Sequence, residues 1–373
     1  MFILSSFFDR IGLADMEKVH SAVIGWLFSD YCQALDNIQK SELLCSLFSV
    51  TPIKVFQTIK VELEQHNMDI IILTDEDTPN AACWIIENKI KSSQHSDQLD
   101  KYVSIVNGEE ETIGRSKLSV KDYESFKKHF CLLTLVDEKA RCKNAIWNNV
   151  TYKKFSQLLC AMNLDTNPDG VILGEYRQCI TNLSNVLDDF LGNHQAYDNV
   201  FTDGSKKKGC KSKIRTSGKY SDFIAKNGLE TIFQKCFLAH INQLSQKWKY
   251  DWSISETHGI ALLEYRIKKE DKMSYGVQIQ NGSFKVQVLG ISNNNEQLKD
   301  EFWKNWNLNN LSLPDGWKLN YSKGKKVPYF SISKKINLWY CKTINEIVKE
   351  WDSMHDDCMK IVCQLSEHFH RQV

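Results

Sequence analysis

Asp69 and the triplet Glu87-Asn88-Lys89, eighteen residues further on, offer two carboxylates and an ammonium to one small volume. That is a donor set for metal-assisted phosphodiester hydrolysis. Hard carboxylate oxygens suit a divalent cation such as Mg²⁺ or Mn²⁺, and an ammonium can meet charge developing on a phosphoryl group. Each acid adjoins an apolar run: Asp69 precedes Ile70-Ile71-Ile72-Leu73, and Glu87 follows Cys83-Trp84-Ile85-Ile86. Such runs read as strands, on which Glu87 and Lys89 share a face while Asn88 points to the other. Residues 74–80 between them carry turn chemistry, so a hairpin is expected, with Asp69 facing Glu87. In that geometry Asp69 and Glu87 are metal ligands and the backbone carbonyl of Asn88 is a plausible third. Lys89 then serves the attacking water or the transition state. The simpler alternative is a structural Glu87–Lys89 ion pair at a strand end. Two close carboxylates in apolar surroundings repel each other and need a cation, which favours the site.

The elements around these strands bring further polar groups. Residues 17–28 read as a helix with an apolar stripe of Val19, Val23, Ile24 and Leu27. Glu17 and His20, three apart, share a face of it. Glu17 is expected to complete the metal site, and His20 is either a substrate contact or a packing residue. Glu62 and Glu64, alternating on a strand at 59–63 and its end, are alternatives to Glu17. Ser92 or Ser93 is expected to cap a helix running to Asn107, on which Gln98 and Tyr102 stand at i, i+4, within reach of a phosphate near the metal. Residues 130–136 form an apolar run typical of a strand buried on both faces. Helices are expected at 40–48, 152–162 and 171–191.

These residues resemble the PD-(D/E)XK nuclease superfamily, in which an Asp on one strand and Glu-x-Lys on the next form the metal site. Glu17-Lys18-Val19-His20-Ser21, Ile86-Glu87-Asn88-Lys89-Ile90, Gln98-Leu99-Asp100-Lys101-Tyr102 and the segment from Trp147 to Tyr152 are similar to one prokaryotic branch, often found in defence loci. Met68 stands where many members carry proline. The likeness spans roughly residues 15 to 190. It implies a restriction-endonuclease-like α/β fold, a mixed sheet flanked by helices, and a Mg²⁺- or Mn²⁺-dependent nuclease. It further implies nucleic acid as partner, with DNA the expected substrate and RNA left open, and a role in defence against phage. The competing class is a nucleic-acid-binding or assembly protein that keeps the fold without turnover.

Composition sets the wider frame. A net charge of +1 makes the whole molecule no electrostatic magnet for nucleic acid, so any basic footprint is local. No apolar run is long enough for a membrane span and no signal peptide is evident. Twelve cysteines at irregular spacing, none in a Cys-x-x-Cys pair, point to reduced thiols and the cytoplasm. Residues 202–219 hold seven Lys or Arg against one Asp, with three Gly and three Ser. They read as a basic linker or a non-specific phosphate contact. The expected organisation is a nuclease-like domain at 1–200, a linker at 201–220 and a C-terminal α+β domain at 221–373. In that last part, helices are expected at 228–247 and 296–306. Strands are expected at 252–255, 260–267, 273–280, 283–289, 317–321 and 329–333, with an Asn281-Gly282 hairpin turn. Thr343-Ile344-Asn345-Glu346 looks like a capping box opening a final helix. His355, Cys358, Cys363, His368 and His370 suggest zinc, but Ile347, Trp351, Met354, Cys358, Ile361 and Leu365 recur in steps of four and three. That favours a packing or dimerisation helix and a homo-oligomer.

Overall fold

A computed structural model describes residues 6–51, 55–94, 97–109, 123–197, 219–257, 259–269, 273–280, 283–290, 312–321, 329–335 and 343–370. The chain forms two compact units, Met1–His194 with Ile214–Cys236, and Gln195–Lys213 with Phe237–Val373.

The first unit holds helices α1 (Phe7–Ile11), α2 (Glu17–Phe28) and α3 (Asn37–Leu47), then strands β1 (Ile59–Gln65), β2 (Met68–Thr74) and β3 (Ala82–Lys89). Helix α4 (Gln98–Val106) leads to β4 (Lys127–Thr134) and β5 (Asn148–Thr151), followed by α5 (Tyr152–Cys160), α6 (Pro168–Gly192), α7 (Ser221–Lys226) and the start of α8 (Glu230–Leu244). The sheet runs β1-β2-β3-β4-β5, antiparallel across the first three strands and parallel from β3 to β5. It is a mixed sheet flanked by helices, as expected for a restriction-endonuclease-like fold.

β3 is the central strand and is buried at all eight positions. Its Cys83 and Ile85, with Ile71 and Leu73 of β2, build a core with Leu99, Tyr102, Val103 and Val106 of α4. The alternate side chains face α2, α3 and α5. Gly25 lets α2 lie close to the sheet, because a Cβ there would come within 2.7 Å of the Leu63 side chain. Asn88 ties this layer to the strand: its Nδ2 donates to the Glu17 carbonyl (3.1 Å) and Ser21 Oγ (3.0 Å), and its Oδ1 accepts from Tyr152 OH (2.7 Å).

Several boundaries differ from expectation for identifiable reasons. β1 and β2 join through His66 and Asn67, both at positive φ, the conformation of a tight hairpin turn. The helix expected from Ser92 begins at Gln98, because Ser92 is engaged elsewhere, as described below. α6 begins at Pro168, with the Asn167 side chain accepting from the Gly170 N–H. β5 had no counterpart among the expected strands. α7 and the first part of α8, expected in the C-terminal domain, belong to the first unit. Asn227 bonds to Ala14 and Asp9, and Phe233 packs on Phe190 at 5.2 Å between centroids. Most of the expected linker, residues 201–218, lies outside the described residues, as do the expected helix at 296–306 and the Asn281-Gly282 turn. Lys219 pairs with Asp189 at 2.7 Å.

The second unit holds the rest of α8 and strands β6 (Asp251–Thr257), β7 (Ile260–Lys269), β8 (Met273–Gln280), β9 (Ser283–Gly290), β10 (Lys318–Tyr321) and β11 (Tyr329–Lys335). They form one antiparallel sheet, β10-β11-β9-β8-β7-β6. Thr343 and Glu346 exchange the bonds of the expected capping box at the start of α9 (Ile344–His370). The stripe Ile347, Trp351, Met354, Cys358, Ile361 and Leu365 is buried within the single chain, with Trp351 against Phe284 and Tyr265. This burial fits the packing alternative for that helix. The zinc alternative fails in the same place: Cys358 is in the core, and His355 bonds to Tyr250 OH at 3.0 Å.

Removing the Tyr152 hydroxyl tests the link between the helical layer and β3. Tyr152→Phe strands the buried Asn88 Oδ1 and is expected to cost about 1–3 kcal/mol, read as a lower urea midpoint at unchanged slope.

Candidate active site

The β2–β3 register ends at the pair Ile70↔Ile86, so the next residues out, Asp69 and Glu87, lie opposite each other. Past that last pair, the Asn88 N–H has no β2 carbonyl to meet, and it donates instead to Asp69 Oδ2 at 2.8 Å. Asp69, Glu87 and Lys89 therefore share the α4 face of the sheet edge. Lys89 Nζ stands 2.6 Å from Glu87 Oε1. Gln98 Nε2 donates to the same oxygen at 2.8 Å and also approaches Tyr102 OH at 2.7 Å. Tyr102 OH donates to the Asn67 carbonyl (2.6 Å), clipping the β1–β2 turn to α4.

This arrangement leaves two buried acceptors without a hydrogen-bond partner, Glu87 Oε2 and Gln98 Oε1. Glu87 is 1% exposed. Burial, then the charge of Asp69, pushes its carboxyl up to about 8 against the pull of Lys89. Burial likewise raises Asp69 to about 6, opposed by the Asn88 N–H and Lys89 and assisted by Glu64 and Glu17. Burial disfavours the Lys89 ammonium, yet Glu87, Asp69 and Glu17 together outweigh it and hold its pKa above the usual lysine value. Two carboxylates face one ammonium, and a buried oxygen is left with its lone pairs unused. A divalent cation fits that donor set, because it would take up the orphaned oxygen and cancel the repulsion.

Glu17 is placed differently from the expectation that it completes the metal site. Its Oε1 accepts from the N–H groups of Ile90 (2.9 Å), Lys91 (2.6 Å) and Ser92 (2.5 Å), and its Oε2 accepts from Ser92 Oγ (2.9 Å). Its carboxylate is thus occupied in holding the turn that follows β3. Among the described residues, no third His, Cys, Asp or Glu joins Asp69 and Glu87 in a metal-ligating group. Glu64 is exposed near Asp69, and Glu62 pairs with Lys60 at 3.4 Å.

His20, expected as a substrate contact or packing residue, lies inside the helical layer. Nε2 faces the Ala14 carbonyl at 3.1 Å, and Nδ1 faces Tyr176 OH at 3.0 Å. Burial lowers its pKa to about 4, so the ring is neutral. A carbonyl can only accept, so Nε2 carries the proton and Nδ1 accepts from the Tyr176 hydroxyl. Of Gln98 and Tyr102, expected at substrate, Gln98 is bonded to Glu87 itself and Tyr102 to Gln98 and the Asn67 carbonyl. The Asn88 side chain, Ser21 and Tyr152 were not expected at the site. Their signal was Asn88 between two same-face residues of β3, which directs it at the helix carrying Glu17.

Residues 5–166 match the model of the PD-(D/E)XK nuclease superfamily. Over these residues the chain is similar to that superfamily, whose nucleases generally use divalent metals. No curated protein and no solved structure gives a significant match to the chain.

The raised Glu87 carboxyl has a stability consequence. Between an unfolded value of about 4.5 and a folded value of about 8, the folded protein binds more protons than the unfolded chain. Its contribution therefore weakens stability as pH rises through that window. In EDTA, Glu87→Gln is expected to be the more stable protein at pH 8, on the order of 2 kcal/mol after allowing for the lost Lys89 pair. The difference should shrink towards pH 5, and paired thermal melts across that range measure it.

Proposed function

We propose that this protein is a metal-dependent nuclease that hydrolyses phosphodiester bonds of DNA, with Asp69 and Glu87 as metal ligands and Lys89 as the catalytic ammonium. The buried, unpartnered Oε2 of Glu87 beside Asp69 is the observation that carries this reading. The Asn88 carbonyl is the proposed third ligand, with Mg²⁺ or Mn²⁺ as the ion. A divalent cation held there supplies Lewis-acid polarisation of the phosphoryl oxygen and lowers the pKa of a bound water.

The chain's own residues do the rest. The Asn88 N–H fixes one oxygen of Asp69 and Gln98 fixes one oxygen of Glu87, and the other oxygen of each carboxylate would be the one to hold an ion. Lys89 keeps its proton and stands on the same strand face, where it can orient the attacking water or meet charge building on the phosphate. Glu17 acts as an anchor, holding the strand end so that these groups stay in register.

Among the described residues no helix is long and apolar enough to cross a membrane, and all ten described cysteines are free thiols. The thiols support a reducing compartment, the cytoplasm. The likeness of the Glu17-x-x-His20-Ser21 and Gln98-x-x-x-Tyr102 elements to a defence-associated branch extends the reading to phage nucleic acid. A plaque count on cells expressing wild type or Glu87→Gln checks it: equal counts would remove that role.

Duplex DNA, single-stranded DNA and RNA, each incubated with Mg²⁺, Mn²⁺ or EDTA, test the activity. Cleavage of DNA is expected with either ion and none in EDTA. Asp69→Asn and Glu87→Gln should abolish it, and Lys89→Ala should lower kcat by about 10²–10³-fold. Cleavage that survives Glu87→Gln would refute the site, and cleavage of RNA alone would reassign the substrate.

A further inference from the structure

Ile90, Lys91 and Ser92 follow directly on the strand end that carries Glu87 and Lys89, so whatever fixes them fixes the two reactive side chains. Glu17 holds their N–H groups. The carbonyl side is held from a distant part of the chain: Nζ of Lys235, on α8, donates to the Lys91 carbonyl. Lys235 is only 1% exposed. A buried ammonium is costly, and a hydrocarbon side chain of the same volume would fill such a space at less expense. What hydrocarbon cannot do is bond the carbonyl.

The surroundings are built for that cation. Glu138 is buried on the loop after β4. Burial raises its carboxyl, while Arg141, Gln94, Lys235 and Lys89 pull it back down, so one carboxylate interacts with both lysines. Arg141 bonds it at 3.1 Å and Gln94 bridges to Lys139 and Arg141. The chain leading into α8 fits closely against the same corner. Gly228 adopts φ +60°, and a Cβ there would come within 3.1 Å of Asp15 Oδ2. Asp15 pairs with the Lys91 ammonium at 2.6 Å. Lys91 is thus held at its N–H, its carbonyl and its side chain by Glu17, Lys235 and Asp15, three residues from two distant parts of the sequence.

We propose that Lys235 is a positioning residue of the nuclease site, fixing the turn at Lys91 and through it the strand end that presents Glu87 and Lys89. It lies well beyond residue 166, where the superfamily match ends. The catalytic consequence rests on the nuclease reading above, whereas the anchoring of the turn does not.

Full-length Lys235→Met and Lys235→Arg test this. A Lys235→Met/Glu138→Gln double variant removes the stranded counter-charge and carries the same expectation if the single variant folds poorly. Amide hydrogen exchange is followed at Ile90, Lys91 and Ser92, and Mn²⁺ binding by calorimetry. Lys235→Met should speed exchange at these amides by about tenfold or more. It should weaken Mn²⁺ binding about 10–100-fold and lower kcat, with KM for DNA within about twofold. Lys235→Arg should recover most of each. A folded Lys235→Met protein with unchanged exchange and Mn²⁺ affinity overturns the proposal, even if its melting temperature falls. A wild type that binds no Mn²⁺ overturns the nuclease reading instead, and exchange at the three amides then decides the anchoring alone.

Discussion

Glu87 is buried beside Asp69 with one ammonium, Lys89, in direct contact, and this charge imbalance conditions everything around it. Burial and mutual repulsion push both carboxyls up, to about 8 and about 6. A chain optimised for stability alone would place apolar residues at the end of a fully buried central strand. The first unit instead surrounds the pair with fixed donors that each satisfy one oxygen and leave another unused. Stability is given up locally, in a form that a bound divalent cation would restore.

The rest of the unit keeps that strand end in place. Opposite the carboxylates, Asn88 hooks α2 and α5 onto β3 through Ser21, the Glu17 carbonyl and Tyr152. His20, neutral and bonded at both nitrogens, stiffens the same layer. On the carboxylate side, α4 delivers Gln98 to Glu87, and Tyr102 to the β1–β2 turn. Beyond the strand, Glu17 and Lys235 hold the two sides of the following peptides. Alternation along three residues, Glu87-Asn88-Lys89, puts the carboxylate and ammonium on one face and the supporting amide on the other.

Much of this was legible from residue types. The Asp69–Glu87 juxtaposition follows from two apolar runs and a polar turn, because hairpin register allows few alternatives once both strands are buried. The helices at 17–28 and 152–160 and the strands flanking Asn281-Gly282 follow from periodicity in the same way. The role of Glu17 was not legible, since the number of amides a carboxylate accepts depends on where the chain goes after β3. Ser92 misled for a related reason: a serine before a helical stretch reads as a cap, yet its N–H and hydroxyl belong to Glu17. The stripe on α9 identified an apolar face but left open what covers it, because steps of four and three look alike whether a sheet or a second helix does so. Lys235 carried no signal at all. A lysine on an amphipathic helix reads as solvated, and only the packing of α8 shows that it is buried.

The most direct test of the central claim is a crystal soaked in Mn²⁺, with diffraction recorded at the manganese absorption edge. An anomalous peak bridging Asp69 and the free Oε2 of Glu87, on the face shared with Lys89, is the predicted result. A fully ordered site without a peak there, with Glu87 Oε2 bonded to protein or water alone, would contradict it.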